Sequence, residues 1–374
     1  MIGVLQMIGS LNIGGSQAMI LNLYEAIDRT KVQFDFILDE PTQRELADRV
    51  IQLGGKIYEM PKFTGKNFFE VKRAWNSFFA EHPEYKILHS HVRSYASIYF
   101  PIAKKYGVTT IIHSHSTSNG SGIKSLAKAM LQRPIRYMAD YLFACSSASG
   151  QWLYGNSVTS KSNFKVIPNC IDISRFSFSD EKRAIGRQQL QIDLDDFVIG
   201  HVGRFHPVKN HRFLVDVFAE ICKEKHNAKL LLIGDGELFG DIRSYCENLG
   251  LTDKVIFAGS QRDTSLYYSV MDVFVFPSLW EGVPVSVVEA QTSGLPCLIS
   301  DVITNDVVLI DSVKKKALTE NEIEWAKKIK SMTRSDNRHL DEKQLCLLHA
   351  FDSNSVADSL TSFYEKVFGG EIHE

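Results

Sequence analysis

The feature that most constrains the fold is an alternation of short apolar runs with longer amphipathic stretches, which starts twice along the chain. The first series of apolar runs stands at 2–8, 33–39, 56–60, 86–91, 109–116, 141–147 and 165–172. The second series stands at 197–205, 229–236, 255–259, 273–278 and 296–301. Such runs are typical of buried strands, and the stretches between them of helices. The pattern predicts an α/β chain with two Rossmann-like, doubly wound parallel-sheet domains that face each other across a cleft.

Length and one polar segment set the domain boundaries. The chain has 374 residues, which suits two domains of about 100–200 residues each. The segment 174–196 is polar and charge-rich, and we interpret it as a linker with a short helix. We therefore predict an N-terminal domain over 1–175 and a C-terminal domain over 176–350. The helix within 351–374 either ends the second domain or crosses back to the first.

Composition argues against several classes of protein. The net charge is −2, so the chain as a whole does not bind nucleic acid through bulk positive charge. The six cysteines form no C-x-x-C pair and are typical of reduced thiols in a cytosolic protein. The N-terminus lacks the basic region and cleavage site of a secretory signal, and no apolar run reaches the ~18 residues of a membrane span. We expect a cytoplasmic protein.

Polar residues follow several predicted strands of the first half, where doubly wound sheets bind ligands. Gly14 and Gly15 lie between the first strand and a helix, as a tight turn or as a loop that approaches an anion. The sequence His-Ser-His occurs at 89–91 and again at 113–115. A histidine there is a general base, a metal ligand or a hydrogen-bonded residue, and no neighbouring carboxylate or cysteine completes a metal site.

One segment of the second half suits a phosphorylated ligand, and a second segment predicts only a turn. In HVGRFHPVKNH (201–211), Arg204 and Lys209 occupy a loop before a helix. A guanidinium fork and an ammonium group suit a diphosphate, although a solvated basic loop would have the same composition. The segment IGDGEL (233–238) is a strand followed by a turn.

The stretch FPSLWEGVPVSVVEAQTSGLPCLIS (276–300) places two acids among apolar and small residues. Pro284 fits the first position of a helix, so the backbone donors near Gly282 and Val283 favour an anion. Glu281 lies on the loop before this helix. Glu289 lies further along it, where its carboxylate can accept hydrogen bonds from vicinal hydroxyls such as those of a ribose. An ordinary, partly buried glutamate leaves unexplained why this carboxylate has no neighbouring cation in sequence.

A basic amphipathic stretch occupies 122–141. It carries Lys124, Lys128, Arg133 and Arg136 with a single acid, Asp140. This composition is typical of a helix that lies on an anionic membrane surface. A solvated face of a soluble protein is the alternative.

Together these motifs resemble the GT-B glycosyltransferases of family 4, in particular members from bacterial capsule and exopolysaccharide synthesis, over nearly the whole chain. The most specific part is E-x7-E, from Glu281 to Glu289. Supporting segments are VIPNCID (166–172), HVGRFHPVKNH (201–211), LLLIGDGEL (230–238) and VIFAGSQRD (255–263). The chain departs from the family at Val283 and Pro284, where Phe-Gly is usual, and at Ser16 and Gln17. These departures leave the donor sugar and the acceptor contacts open.

The resemblance implies retaining transfer of a hexose or N-acetylhexosamine from a nucleotide sugar, usually a UDP-sugar, to a glycan or lipid-linked acceptor, without a metal or other cofactor. Arg204 and Lys209 match the diphosphate-binding pair, Glu281 the acid near the donor sugar and Glu289 the ribose-binding acid. The implied catalytic residues are His113, Glu281, Arg204 and Lys209. The implied substrate contacts are Gly14, Gly15, His115, Asn169, Gly203, Gly234, Gln261, Arg262, Gly282, Val283 and Glu289. His113 best matches the residue near the reacting carbon, and His115, two positions later, is the alternative.

Two alternatives share this architecture. A nucleotide-sugar 2-epimerase would consume donor without an acceptor, and a non-catalytic partner subunit would stabilise a second transferase. The presence of both acids with both cations argues against the second alternative. A metal-dependent transferase of another fold would use Asp-x-Asp, and the candidate, Asp193 to Asp195, lies in the polar linker.

Overall fold

The computed structural model describes residues 1–12, 15–42, 44–115, 129–332 and 338–370, without the side chains of residues 15, 16, 44 and 45. The chain divides into two compact units. The first comprises Met1–Cys170 with Phe351–Glu374, and the second comprises Ile171–Ala350. The final helix therefore belongs to the unit that contains the N-terminus.

The first unit is built on a seven-stranded sheet in the order β3-β2-β1-β4-β5-β6-β7, and every paired strand is parallel. The strands are Ile2–Met7 (β1), Val32–Leu38 (β2), Ile57–Glu59 (β3), Ile87–Ser90 (β4), Thr109–Ser114 (β5), Tyr141–Ala144 (β6) and Phe164–Val166 (β7). The helices are Gly15–Ala26, Arg44–Gln52, Phe68–Glu81, Ala96–Lys105, Ile135–Met138, Ser147–Tyr154 and Ser353–Phe368.

Helices cover both faces of this sheet, because successive strand residues point to opposite sides. Val4 contributes to one apolar cluster and Leu5 to the other. The final helix, Ser353–Phe368, packs in the first cluster through buried residues at the spacing of one helical face. These residues are Val356, Ala357, Leu360, Phe363 and Tyr364.

The second unit is built on a six-stranded parallel sheet in the order β10-β9-β8-β11-β12-β13. The strands are Phe197–Val202 (β8), Ala228–Ile233 (β9), Val255–Gly259 (β10), Val273–Phe276 (β11), Cys297–Ser300 (β12) and Val313–Lys316 (β13). The helices are Ile173–Phe176, Asp180–Gln189, His211–Cys222, Phe239–Asn248, Ser265–Val270, Val285–Thr292, Glu322–Ser331 and Glu342–Leu348.

The predicted fold class is confirmed, since both units are doubly wound parallel sheets. In each sheet the strand order reverses once, between β1 and β4 and between β8 and β11. Some details of the prediction were wrong. The last strand of the first series ends at Val166 instead of 172. The segment 174–196 holds the whole helix Asp180–Gln189 and most of the helix Ile173–Phe176. Pro284 precedes the helix Val285–Thr292 as its cap instead of being its first residue.

No helix among the residues that the structure describes is long and apolar enough to cross a membrane. Residues 122–128 of the basic amphipathic stretch, with Lys124 and Lys128, lie outside the described residues.

Candidate functional site

In the second unit, the loops after β8 and β11 meet where the strand order reverses. Ligands of doubly wound sheets bind at the carboxyl ends of the strands at such a point. The amide of Leu279 donates to the carbonyl of Val208 across 2.8 Å, and Nδ2 of Asn210 donates to the carbonyl of Pro277 across 3.2 Å. These bonds hold the two loops side by side.

Lys209 and Glu281 form an ion pair between these loops. Nζ of Lys209 lies 2.7 Å from Oε1 of Glu281, and the two side chains are 19% and 16% exposed. Lys209 ends a short 3-10 turn, Pro207–Lys209, and its ammonium also lies 4.5 Å from the ring centre of Phe276. A cation and a carboxylate are thus anchored at the sheet edge.

Two glycines bring the loops after β8 and β9 close together. Gly234 has a φ of +137°, and a Cβ there would lie 2.1 Å from the carbonyl oxygen of Gly203. A Cβ on Gly203 would lie 3.3 Å from the stem of Lys209. Glycine is therefore needed at 234 for the backbone contact, and at 203 it leaves room for the lysine.

Arg204 shares the β8 loop but extends into solvent. Its side chain is 70% exposed, and Nη2 lies 3.9 Å from Oε2 of Glu237. An exposed pair at this distance contributes little to stability, so the guanidinium can reorient toward an anionic ligand.

Glu289 receives a hydrogen bond from a residue that sequence reasoning missed. Oη of Tyr268 donates to Oε2 of Glu289 across 2.6 Å. Burial raises the pKa of Glu289 to about 7, while the Tyr268 bond and the charge of Arg175 act in the opposite direction. Arg175 is itself paired with Asp263 across 3.2 Å. Glu289 has no cation next to it in sequence, and in the structure its hydrogen-bond partner is the hydroxyl of Tyr268.

The remaining predicted contacts of this unit lie around the same sheet. Gly282 and the buried Val283 are in the loop that carries Glu281. Gln261 and Arg262 follow β10, two strands away from β8. The side-chain amide of Gln261 donates to the carbonyl of Ala258.

In the first unit, His113 is buried within a chain of hydrogen bonds. Nε2 of His113 lies 3.2 Å from the carbonyl of Ile167 and must therefore donate. Nδ1 then accepts from Nε2 of His89 across 3.3 Å, and Nδ1 of His89 accepts from the hydroxyl of Tyr364 across 2.7 Å. His113 is 0% exposed, so a ligand cannot reach either ring nitrogen without displacing a partner.

His115 lies at the more accessible end of a second chain. Nε2 of His115 is 2.7 Å from Nδ1 of His91, and Nε2 of His91 is 3.0 Å from Oε1 of Gln6. Nδ1 of His115 is 3.1 Å from Oδ1 of Asn169. His115 is partly exposed, and burial lowers its pKa to about 4. Of the two histidines, His115 is thus the one that retains exposed surface.

Three of these histidines come close enough to be considered as metal ligands. Ring nitrogens of His89, His91 and His113 lie within 4.8 Å of one another. Protein groups already occupy these nitrogens through the bonds described above. His89 and His113 are thereby held as neutral imidazoles, each of which donates from Nε2 and accepts at Nδ1. Gly14 lies outside the described residues, and Gly15 begins the helix Gly15–Ala26.

Comparisons with known proteins agree over most of the chain. Residues 13–175 match the family model "Glycosyltransferase Family 4", and residues 182–344 match "Glycosyl transferases group 1". EpsF of Bacillus subtilis, which is named as a glycosyltransferase, is 33% identical over 331 residues, covering 87% of this chain and 86% of EpsF.

Two further proteins are similar. The UDP-Gal:alpha-D-GlcNAc-diphosphoundecaprenol alpha-1,3-galactosyltransferase of Escherichia coli is 25% identical over 236 residues, 60% of either chain. The crystal structure of Anabaena HepE with UDP and glucose superposes with a TM-score of 0.77 at 19% identity, covering 97% of this chain and 99% of HepE. The chain therefore belongs to the family 4, or group 1, glycosyltransferases and is a transferase of GT-B fold.

Proposed function

We propose that the chain is a retaining transferase that moves a hexose or N-acetylhexosamine from a UDP-sugar to a glycan or lipid-linked acceptor during surface polysaccharide synthesis. The observation that carries the proposal is the Lys209–Glu281 pair at the strand-order reversal of the second unit, with Arg204 on the same loop. The similar E. coli enzyme is named for UDP-galactose and a diphosphoundecaprenol-linked acceptor, which supports this class of donor and acceptor.

The two cations supply what the reaction needs. As the bond from the anomeric carbon to the diphosphate breaks, negative charge grows on the departing nucleotide. Preorganised donors aimed at developing charge usually contribute more to such catalysis than any other single effect. An ammonium group has three donors, so Lys209 can keep Glu281 and also donate to a phosphate oxygen. Arg204 adds a planar fork that suits phosphate. With two cations in these positions, the proposed reaction requires no metal.

Glu281 and His115 complete the proposed set of residues. Glu281 is held in place by Lys209 and accepts hydrogen bonds from the donor sugar. His115 is more accessible than His113 and lies in contact with Asn169. We assign His113 the role of holding the histidine chain together, because it is buried and both ring nitrogens are bonded.

A ligand screen followed by product analysis tests the proposal. A UDP-sugar that binds only the folded protein should raise its melting temperature, whereas GDP- and ADP-sugars should have little effect, and Lys209→Ala should lose the shift. NMR of the product should show retention at the anomeric carbon, and EDTA should leave the rate unchanged. Donor turnover without any acceptor would instead identify an epimerase. The absence of a shift with every nucleotide would contradict the assignment.

We also propose that this protein associates with an anionic lipid surface through the stretch 122–141. In its described part, Met130 and Tyr137 are 71% and 76% exposed. Arg136 lies over the Tyr137 ring, and the ammonium of Lys161 approaches the same ring at 5.9 Å. Exposed apolar side chains among cations suit a membrane interface. Sedimentation with phosphatidylglycerol vesicles, but not with phosphatidylcholine vesicles, is expected. Arg133→Glu with Arg136→Glu should abolish it, and equal sedimentation of this variant would contradict the proposal.

A further inference from the structure

The hydrogen bond between Tyr268 and Glu289 restricts one oxygen of the carboxylate. Tyr268 lies near the C-terminus of the helix Ser265–Val270 and is 0% exposed. Its hydroxyl donates to Oε2 of Glu289 across 2.6 Å, because a carboxylate can only accept. Among the described residues, no hydrogen bond reaches Oε1. The bond therefore leaves Oε1 for a ligand while it prevents rotation of the carboxylate.

The surrounding residues hold Tyr268 in this position. Its ring packs against the rings of Phe176 and Phe274, with centres 5.9 and 5.8 Å away. One nitrogen of Arg338, Nη2, donates to the carbonyl of Tyr268 across 2.9 Å and to the carbonyl of Ser293 across 2.7 Å. Ser293 directly follows the helix that carries Glu289. Arg338 thus ties the tyrosine helix to the glutamate helix, which fixes the distance between the two side chains.

We propose that Tyr268 is a positioning residue that keeps the Glu289 carboxylate oriented and charged for the ribose hydroxyls of the donor. This inference rests on the proposed function, in which Glu289 binds the ribose of a nucleotide sugar. Two vicinal hydroxyls donate to an ionised carboxylate but lose one acceptor oxygen when the carboxyl group is protonated. The Tyr268 hydroxyl stabilises the ionised form, as hydrogen bonds to a charged group do.

The charges around Glu289 set the direction of the pH effect. Burial raises the pKa of Glu289 to about 7, the Tyr268 bond and Arg175 lower it, and Asp263 raises it. Ribonucleotide affinity should therefore be lost as the pH falls through about 7. Loss of the Tyr268 hydroxyl removes one of the lowering contributions, so the pKa of Glu289 rises further. The midpoint of the affinity change then moves to higher pH.

Calorimetric titrations with UDP and with its 2′-deoxy analogue, from pH 6 to pH 8.5, test the inference. Comparing variants with the same ligand cancels the ionisation of the diphosphate itself. Tyr268→Phe should weaken UDP binding at neutral pH by about tenfold, because the carboxylate loses both its fixed orientation and part of the stabilisation of its charged form. It should also raise the pH midpoint and bring the affinities for UDP and deoxy-UDP closer together. Tyr267→Phe, the same change one residue earlier, should match the wild type.

The outcomes separate this inference from the proposed function. Wild-type protein that binds no UDP contradicts the proposed function and the inference together. Wild-type protein that binds UDP while Tyr268→Phe keeps the same affinity and midpoint overturns only the inference. Equal weakening of UDP and deoxy-UDP by Tyr268→Phe, with no change of midpoint, shows a purely structural role and also overturns it. If Tyr268→Phe does not fold, difluorotyrosine at position 268, a stronger donor, should lower the midpoint, and an unchanged midpoint would reject the inference.

Discussion

Lys209 donates from Nζ to Oε1 of Glu281 across 2.7 Å, so one ion pair joins the loops that follow β8 and β11. Both side chains retain partial exposure at the carboxyl edge of the sheet. In an ion pair this little exposed, the loss of hydration offsets much of the attraction between the charges, so the intact pair is weak evidence for stability. Its placement at the strand-order reversal therefore matters more for a ligand than for stability.

Replacing Lys209 with methionine should separate catalysis from folding. Methionine keeps an apolar stem near Phe276 but removes the charge that faces Glu281. We expect kcat/KM to fall by about 10²–10³-fold, the usual cost of removing one donor to a developing charge. The free energy of unfolding should also fall, but by less than the about 3–5 kcal/mol that a fully buried pair loses with one partner, because Glu281 keeps some contact with water. Product formation and urea denaturation measure the two effects.

Lys223→Met is the matched control for this variant. Lys223 pairs with Glu220 across 2.6 Å, but its side chain is 67% exposed on a helix surface. It should retain wild-type turnover. Comparable turnover of Lys209→Met and Lys223→Met would refute the assignment of Lys209 to the donor diphosphate.

The buried histidines of the first unit should make folding sensitive to acid. Burial lowers the pKa of His89 to about 3 and that of His113 well below its ordinary value. The unfolded chain takes up these protons near pH 6.5, so it binds more protons than the folded chain below that pH. Stability is then lost as the pH falls below 6.5, by about 2 kcal/mol for each such histidine at pH 5.

Substitution of His113 measures this effect. His113→Asn should lower stability at pH 7.5, because it breaks the chain from Tyr364 to the Ile167 carbonyl. Between pH 6.5 and pH 4.5, the unfolding free energy of this variant should fall less steeply than that of the wild type. The two slopes should differ by about 1.4 kcal/mol per pH unit, because the variant takes up one proton fewer on unfolding. The exposed His226, replaced by Asn, should leave the slope unchanged. Parallel slopes for His113→Asn and wild type would show that His113 is not held neutral.

The sequence predicted the sheets and singled out Lys209 and Glu281 because both leave local signals. Strands give apolar runs, and Lys209 and Glu281 follow their strands within a few residues. Local sequence could not distinguish His113 from His115, since the difference is a hydrogen bond to Ile167, 54 residues away. It could not find Tyr268 either. Whether Tyr267 or Tyr268 faces Glu289 depends on how two helices pack, which Arg338 fixes from a distant part of the chain.

Gly234 tests how tightly the loops after β8 and β9 are packed. With a φ of +137° and the Gly203 carbonyl only 2.1 Å from the position of a Cβ, alanine at 234 must displace the backbone that leads to Arg204. We expect Gly234→Ala both to lower the melting temperature and to weaken UDP binding.

Gly240 provides the control for this variant. It lies in the helix Phe239–Asn248, where a Cβ has no neighbour within 4 Å. Gly240→Ala should instead stabilise by about 0.5–1 kcal/mol. Equal stability of the two variants would contradict the close loop contact.

Arg338 offers a test of how the helix that carries Tyr268 is held beside Glu289. It is 6% exposed, and its guanidinium donates to the carbonyls of Tyr268, Ser269, Met271 and Ser293. Lysine has three donors on one atom and cannot reach acceptors spread along a planar fork. Arg338→Lys should leave at least one buried carbonyl unpaired, which lowers the free energy of unfolding by about 1–3 kcal/mol for each. It should also weaken UDP binding, because the Tyr268 helix is released.

Arg243→Lys is the control. This side chain is 64% exposed, so the change should alter stability by no more than about 0.5 kcal/mol. Urea denaturation and UDP titration of both variants decide the matter. If Arg338→Lys lost stability yet kept wild-type UDP affinity, the link from Arg338 through Tyr268 to Glu289 would be wrong.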